Sequence, residues 1–343
     1  MPANTSYENA LQTYKGTLDL IAQEYPQADL NEIKRHLVDI SQMNKNERVP
    51  ARIIAQNALT LARYLDEPLL GLKVVDRYDW SLIPIIKLLM TQFPPEESKN
   101  FIGEMIIFLS GYLSTVTEAV NIHLTWTKDQ LRLEVTPYDE TILEAPIEGI
   151  IYGLSKVLFL MTRCRPVTVN FRHANQTSIK AYQPYFKVEP IFKSESYGLV
   201  YEAKPRFNAI NEASINTVSG LNLLLQREFP ELDLVQKCRT ILKSTLHFGE
   251  PSRERVAGLL YMSLSTFKRK LKAQGATFKD ILRDLRKEMA INMLVEQNLS
   301  ATDVAFLLGY LSETQFFRAF KTWFGMTSGE LKEQHLKSGQ QNF

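Results

Sequence analysis

A repeat in the last third of the chain sets the strongest limit on its fold. One copy starts at Ser263 and the other at Ser312. Counted from each Ser, Phe lies at +4 (Phe267, Phe316) and Arg at +6 (Arg269, Arg318). An apolar residue follows at +8 (Leu271, Phe320) and Lys at +9 (Lys272, Lys321). Each copy closes on Gly (Gly275, Gly325), with Thr two residues later (Thr277, Thr327). The second copy has one additional residue before its Gly. A Val-Ala pair precedes each copy: Val256-Ala257 and Val304-Ala305.

Each part of the repeat has a physical role. A Ser at a helix start accepts a hydrogen bond from a free N–H of the first turn. Gln315, three residues after Ser312, completes a capping box. Gly275 and Gly325 supply the left-handed residue that ends a helix. Phe267 with Leu271, and Phe316 with Phe320, are i, i+4 pairs that face a core. At about 100° per residue, Ser265, Lys268, Arg269 and Lys272 then point away from it, as do Thr314, Phe317, Arg318 and Lys321. An outward face of short polar groups, Arg and Lys suits the major groove of DNA: Arg pairs bidentately with guanine, and Lys reaches guanine or phosphate. A Val-Ala helix, a turn and this second helix give the helix-turn-helix order. A solvated basic face explains one such helix as well as DNA does, but it does not explain two with matching caps and core pairs.

Between the copies, the spacing predicts one continuous helix over 278–296. Thr277 caps it, and Phe278, Ile281, Leu282, Leu285, Met289, Met293 and Leu294 form its apolar stripe. Ser300 and Thr327 cap the next two helices, with Asp303 and Glu330 at N3.

Charge divides the 343 residues in the same way. Residues 231–343 carry 17 Lys/Arg against 12 Asp/Glu, whereas 1–230 carry 23 against 26. Phe229-Pro230 stops a helix, which places a domain boundary there: 1–230 and 231–343.

The first 230 residues read as α+β. Helical spacing appears in Leu18, Ile21, Ala22 and Tyr25, in Ile33, Leu37 and Ile40, and after Pro50 in Ile53, Ile54, Asn57, Ala58 and Leu61. The run 101–116 is apolar on nearly every side and reads as a buried helix. Alternation over 122–126 and 131–135 predicts a hairpin. Helices follow over 148–163 and 211–228, a strand over 167–171, and a second hairpin from 190–193 and 199–202.

Other chemistries find little support. Cys164 and Cys238 are too few for a disulfide framework or a Cys-rich metal site. His123 and His173 have no partner at metal spacing. Cys164, flanked by Arg163 and Arg165, has the charges for a reactive thiol, with an incidental Cys as the simpler reading. Tyr182, Tyr185, Phe186 and Tyr201 are either pocket or core aromatics. The start of the chain has no secretion signal, and no apolar run reaches about 18–20 residues, so a cytoplasmic chain without a membrane span is expected.

Residues 233–337 resemble the DNA-binding domain of the AraC/XylS family of regulators. In the first half the likeness rests on Val256-Ala257, Ser263, Phe267, Arg269, Gly275-Ala-Thr-Phe278, Arg286, Ala290 and Leu294. In the second it rests on Asp303-Val-Ala305, Gly309-Tyr310, Ser312, Phe316, Arg318-Ala-Phe320-Lys321, Trp323, Gly325 and Thr327. Ser328 stands where the family usually has Pro at the start of the last helix, which weakens that start slightly. By position, the resemblance gives base contacts to Ser265, Lys268 and Arg269, then to Glu313, Thr314, Phe317 and Arg318. A Glu313 carboxylate would accept from cytosine N4. Val49-Pro50, Asp66-Glu-Pro-Leu-Leu-Gly71-Leu72, His173, Phe192 and Leu199-Val-Tyr201 resemble the regulatory domain of the ornithine-regulator branch, often labelled arabinose-binding.

The resemblance implies an α+β sensing and dimerising domain followed by an all-α domain with two helix-turn-helix units. It implies a homodimeric activator that binds double-stranded DNA at two half-boxes one helical turn apart, contacts RNA polymerase and answers to a small-molecule effector. It implies no cofactor, metal or enzyme activity. One rival is the same regulator controlled by a protein partner or by abundance. Another is fusion to an alkyl-transfer repair enzyme, which two scattered cysteines argue against.

Overall fold

The computed structural model describes residues 4–45, 47–78, 84–92, 117–126, 129–138, 144–202, 232–249, 251–296 and 299–339, with positions 102, 105, 106, 109, 111–113, 225 and 226. The predicted helix over 211–228 and the boundary near residue 230 lie outside them, apart from positions 225 and 226.

Strands β1 (Asn4–Thr5) and β2 (Val49–Pro50) pair antiparallel and tie the N-terminus to the start of a helix. Helices α1 (Tyr7–Glu24), α2 (Leu30–Arg35), α3 (Ala51–Tyr64) and α4 (Leu70–Arg77) follow, then α5 (Pro84–Gln92). In α1 the buried stripe is Tyr14, Thr17, Leu20 and Ile21, and Ala22 is exposed, so the face is rotated from the one expected. Ile33, Leu37 and Ile40 are all buried, but on α2, its exit and a separate 3-10 turn, because Asp29 and Asp39 each cap a new start. Asn57 sits on the buried face of α3 because its amide is satisfied: it accepts from Val38 N at 3.0 Å and donates to Val38 O at 2.9 Å. Ile102, Met105, Ile106, Leu109 and Tyr112 are buried and helical, as the apolar run requires.

The sheet has the order β3 (Val120–Trp126), β4 (Gln130–Pro137), β6 (Gly198–Glu202), β5 (Thr168–Asn170), all antiparallel. The first hairpin forms with Ile122 opposite Val135 and Leu124 opposite Leu133. The second predicted hairpin does not form. Residues 198–202 lie between β4 and β5, and Ile191 makes only a lone parallel bridge to Asn170. Gly198 explains the choice, since a Cβ there would stand 2.2 Å from Leu133 O. Helix α6 (Glu144–Thr162) matches the predicted 148–163 and packs on α4 and the sheet. Its Glu148 is buried and accepts from Tyr182 Oη at 2.8 Å, with His173 Nε2 also 2.8 Å away. The short α7 (Gln183–Phe186) completes this layer. Tyr182, Phe186 and Tyr201 are buried core side chains.

From Asp233 on, the described elements are helical: α8 (Leu234–Thr245), α9 (Arg253–Leu259), α10 (Leu264–Ala273), α11 (Phe278–Ile291), α12 (Ala301–Leu307), α13 (Glu313–Phe324) and α14 (Ser328–Gly339). The predicted 278–296 helix is α-helical only to Ile291; Asn292–Glu296 continue as a π turn. No helix among the described residues is long and apolar enough to cross a membrane.

Two cores hold these helices. Leu234, Cys238, Ile241, Leu242, Phe267, Leu271 and Leu285 belong to the same apolar cluster as the sheet and α6. Gly111 and Ser244 meet there: a Cβ at 111 would stand 2.2 Å from Ser244 Oγ. Leu294, Val304, Ala305, Leu308, Phe316 and Phe320 form a separate cluster under α12 and α13.

A buried turn joins the two units. Arg286, 6% exposed, donates from Nε to Leu308 O at 2.9 Å and stacks 4.2 Å over the Tyr310 ring. Gly309 has φ 74°, and a Cβ there would lie 2.6 Å from both Leu246 O and Gly249 O. The equivalent turn of the first unit holds Tyr261 at φ 53°, with its side chain in solvent. Gly309→Ala therefore meets a clash and left-handed strain together. It is expected to cost about 2–4 kcal/mol, against about 1–3 kcal/mol for Arg286→Met. Urea unfolding followed by circular dichroism measures both, and an unchanged midpoint for Gly309→Ala would refute the contact.

Candidate nucleic-acid interface

Each recognition helix is fixed by its cap and its core pair. Ser263 accepts from Thr266 N at 3.2 Å, and Ser312 from Gln315 N at 3.4 Å. Among the described residues no return bond from the Gln315 side chain reaches Ser312, so the expected capping box is half formed. The last helix has the full box: Thr327 Oγ1 accepts from Glu330 N at 3.2 Å, and Glu330 accepts from Thr327 N at 2.7 Å. Thr277 and Ser300 cap their helices in the forward sense. Gly275 and Gly325 both have φ 71°, as expected of closing residues. Ser328, in the place of the missing Pro, is buried at the start of α14.

Phe267, Leu271, Phe316 and Phe320 are fully buried, which rolls the opposite faces outward. Ser265, Lys268, Arg269 and Lys272 are exposed on α10. Thr314, Phe317, Arg318 and Lys321 are exposed on α13, and Glu313 is half-buried. Phe317 keeps 42% of its surface in water while its ring packs 5.7 Å from that of Phe316. Gln315, expected to complete a cap, is exposed on α13. Lys270 is also exposed on α10. Leu311, 71% exposed, is the extra residue in the turn of the second unit.

Arg163 and Arg165 stack over Phe159, at 5.7 and 4.0 Å, and Cys164 is half-buried with its Sγ 3.6 Å from Thr162 O. Burial pushes the Cys238 thiol up to about 12. Among the described residues no group of three or more His, Cys, Asp or Glu is placed to hold a metal.

A cavity of about 660 Å³, large enough for a small molecule, lies beside this domain. Its walls come from α1, α3, α4, β3 and α6, and from Lys243, Glu288, Met289, Asn292 and Met293. No residue was assigned to it from the sequence, because its walls come from residues 5–157 and from residues 243–307, far apart along the chain. Tyr182, Tyr185, Phe186 and Tyr201 are not among its lining residues.

Comparison with known proteins decides the family. Residues 33–205 match the model described as the arabinose-binding domain of AraC transcription regulators, and residues 256–334 match a helix-turn-helix domain. The chain belongs to the AraC family of transcription regulators. The likeness extends over most of several relatives. The HTH-type regulator VirS of Mycobacterium tuberculosis is 25% identical over 85% of this chain and 76% of its own. The ornithine utilization regulator of Pseudomonas aeruginosa is 24% identical over 78% and 79%. An HTH-type regulator of Mycobacterium bovis is 34% identical over 79% and 80%. As an AraC-family regulator, the chain is a DNA-binding protein whose two helix-turn-helix units are α9–α10 and α12–α13.

His247 ties the stability of this regulator to pH. It is 7% exposed in the Leu246–Phe248 turn, which packs against α12, and burial lowers its pKa to about 3. The unfolded chain binds a proton near pH 6.5 and the folded one does not, so this contribution is intact above about pH 6.5 and declines as pH falls toward 3. The decline is expected to be at most about 1.4 kcal/mol per pH unit. Melting temperatures from about pH 7 to pH 4 should fall less steeply for His247→Gln than for the parent; parallel curves would refute it.

Proposed function

We propose that this regulator reads DNA with Ser265, Lys268, Arg269 and Lys272 of α10 and with Glu313, Thr314, Phe317, Arg318 and Lys321 of α13, and that Gln315 joins them. The observation that carries this reading is the pairing of two capped helices, each with a buried apolar pair (Phe267 with Leu271, Phe316 with Phe320) behind an exposed basic face. Arg269 and Arg318 are the guanine readers, Gln315 suits adenine, and Lys272 and Lys321 suit phosphate. Glu313 accepts from cytosine N4 where it meets a base.

Residues 1–230 form the sensing and dimerising part, and 231–343 the DNA-binding part. The chain works in the cytoplasm as a homodimeric activator that contacts RNA polymerase and is controlled by a small-molecule effector. The cavity favours this over control by a protein partner or by abundance, neither of which needs one. The proposal includes no enzyme activity and no cofactor.

Arg269→Ala and Arg318→Ala are each expected to cost about 1–3 kcal/mol and to relax specificity in one half of the site. Lys272→Ala should weaken all sequences alike and reduce the salt slope by about one. Binding titrations at several salt concentrations separate these; three identical, sequence-independent losses would reduce the arginines to phosphate contacts.

The helix between the units sets the spacing of the half-boxes. Its α-helical part, Phe278–Ile291, spans about 21 Å, and the π turn and flanking turns extend it. Two recognition helices on one face of DNA stand about 34 Å apart, one turn of 10–10.5 base pairs. Inserting about 5 base pairs between the half-boxes places one on the far side and should remove most specific affinity in gel-shift titrations. Undiminished binding would mean that a single helix reads DNA.

A further inference from the structure

We propose that the cavity takes a small molecule with an apolar body and one carboxylate, the carboxylate set against Lys243, and that the helix joining the two reading units senses its presence. This rests on the reading of the chain as an effector-controlled regulator and names the class of effector.

The walls give the apolar body. Val74 of α4, Ile122 and Leu124 of β3, and Ile150 and Leu154 of α6 are among the residues that line the cavity. Such walls hold hydrocarbon by dispersion and exclude water from it.

Lys243 gives the charge. It is the one Lys or Arg among the described lining residues. Burial disfavours its charged form. The nearby carboxylate, Glu288, is engaged by Arg239 at 2.5 Å and is largely exposed. Among the described residues the Lys243 ammonium makes no hydrogen bond or ion pair. An ammonium desolvated on an apolar wall favours an anion that brings its own apolar cover.

The position of Met289 gives the readout. It lines the cavity and packs against both apolar clusters, that of the first reading unit and that of the second. Asn292 and Met293, the first residues of the π turn, line the same cavity, and the next residue, Leu294, is in the second core. π turns are rare and gather at functional positions in helices. A ligand shifts a conformational equilibrium only through contacts that differ between the states. Here its contacts fall on the joint between the two units.

The test uses the full chain with dodecanoate and dodecanol, in calorimetric titrations. Dodecanoate is expected to bind saturably, one per chain, and dodecanol about tenfold or more weakly. Lys243→Met should remove that difference and Lys243→Arg keep it. Ile150→Trp, which fills the cavity, should block both ligands while circular dichroism stays unchanged. Hydrogen exchange over Met289–Met293 should slow when dodecanoate is bound. Equal binding of the two ligands, binding that survives Ile150→Trp, or unchanged exchange at Met289–Met293 would overturn the proposal. So would a failure of dodecanoate to bind; operator binding by the same preparation would show that the DNA reading still stands.

Discussion

The carbonyl of Leu308 and the backbone of Gly309 are where the DNA-binding half is joined. A turn buried between two helical units leaves main-chain acceptors that water cannot reach, and each such group is costly unless it is paired. Arg286 reaches across from the joining helix to supply the donors, and Tyr310 covers the guanidinium face. Gly309 lets the chain pass within contact of the Leu246 and Gly249 carbonyls. This contact fixes how the second recognition helix is aimed, because α13 begins four residues later. The caps and buried apolar pairs hold each helix, but this joint relates one helix to the other.

The two cores give the halves different mechanical standing. The first reading unit shares its apolar cluster with the sheet and α6, so movement in the regulatory half is felt in its packing. The second unit keeps its own cluster and is reached through Met289, the π turn and the Arg286 joint. Packed interiors transmit displacement because they have little void to absorb it. The N-terminal half therefore has a short contiguous packing route into α11 and a narrow one beyond it.

Much of this was legible in the sequence, and the parts that were share one property. The caps at Ser263, Thr277, Ser300, Ser312 and Thr327, the closing glycines and the outward Arg/Lys faces depend on residues within about four positions of each other, where periodicity carries the information. The β3–β4 hairpin was legible for the same reason. What failed was non-local. The placement of residues 198–202 between β4 and β5 depends on Gly198 passing close to Leu133, about 65 positions away. The π turn breaks a stripe that reads as one helix, and no local signal marks it. The cavity was invisible because α1, β3, α6, α8 and α11 form it together. His173 and Glu148 illustrate the same limit: the histidine stood out, but the carboxylate it meets lies on a helix read only for its apolar face.

The turns at Tyr261 and Gly309 occupy the same place in the repeat and face opposite demands. Both backbones take the left-handed conformation. Tyr261 projects into water, so most side chains can replace it at a similar backbone cost, and drift there is nearly free. Gly309 is wedged against two carbonyl oxygens, so no other residue fits and drift there is closed. A motif used twice in one chain thus stops being symmetric as soon as one copy is built over by its neighbours. The copy left in the open tolerates other residues in its turn, while the buried one is held to glycine even though its exposed face is not constrained by that packing.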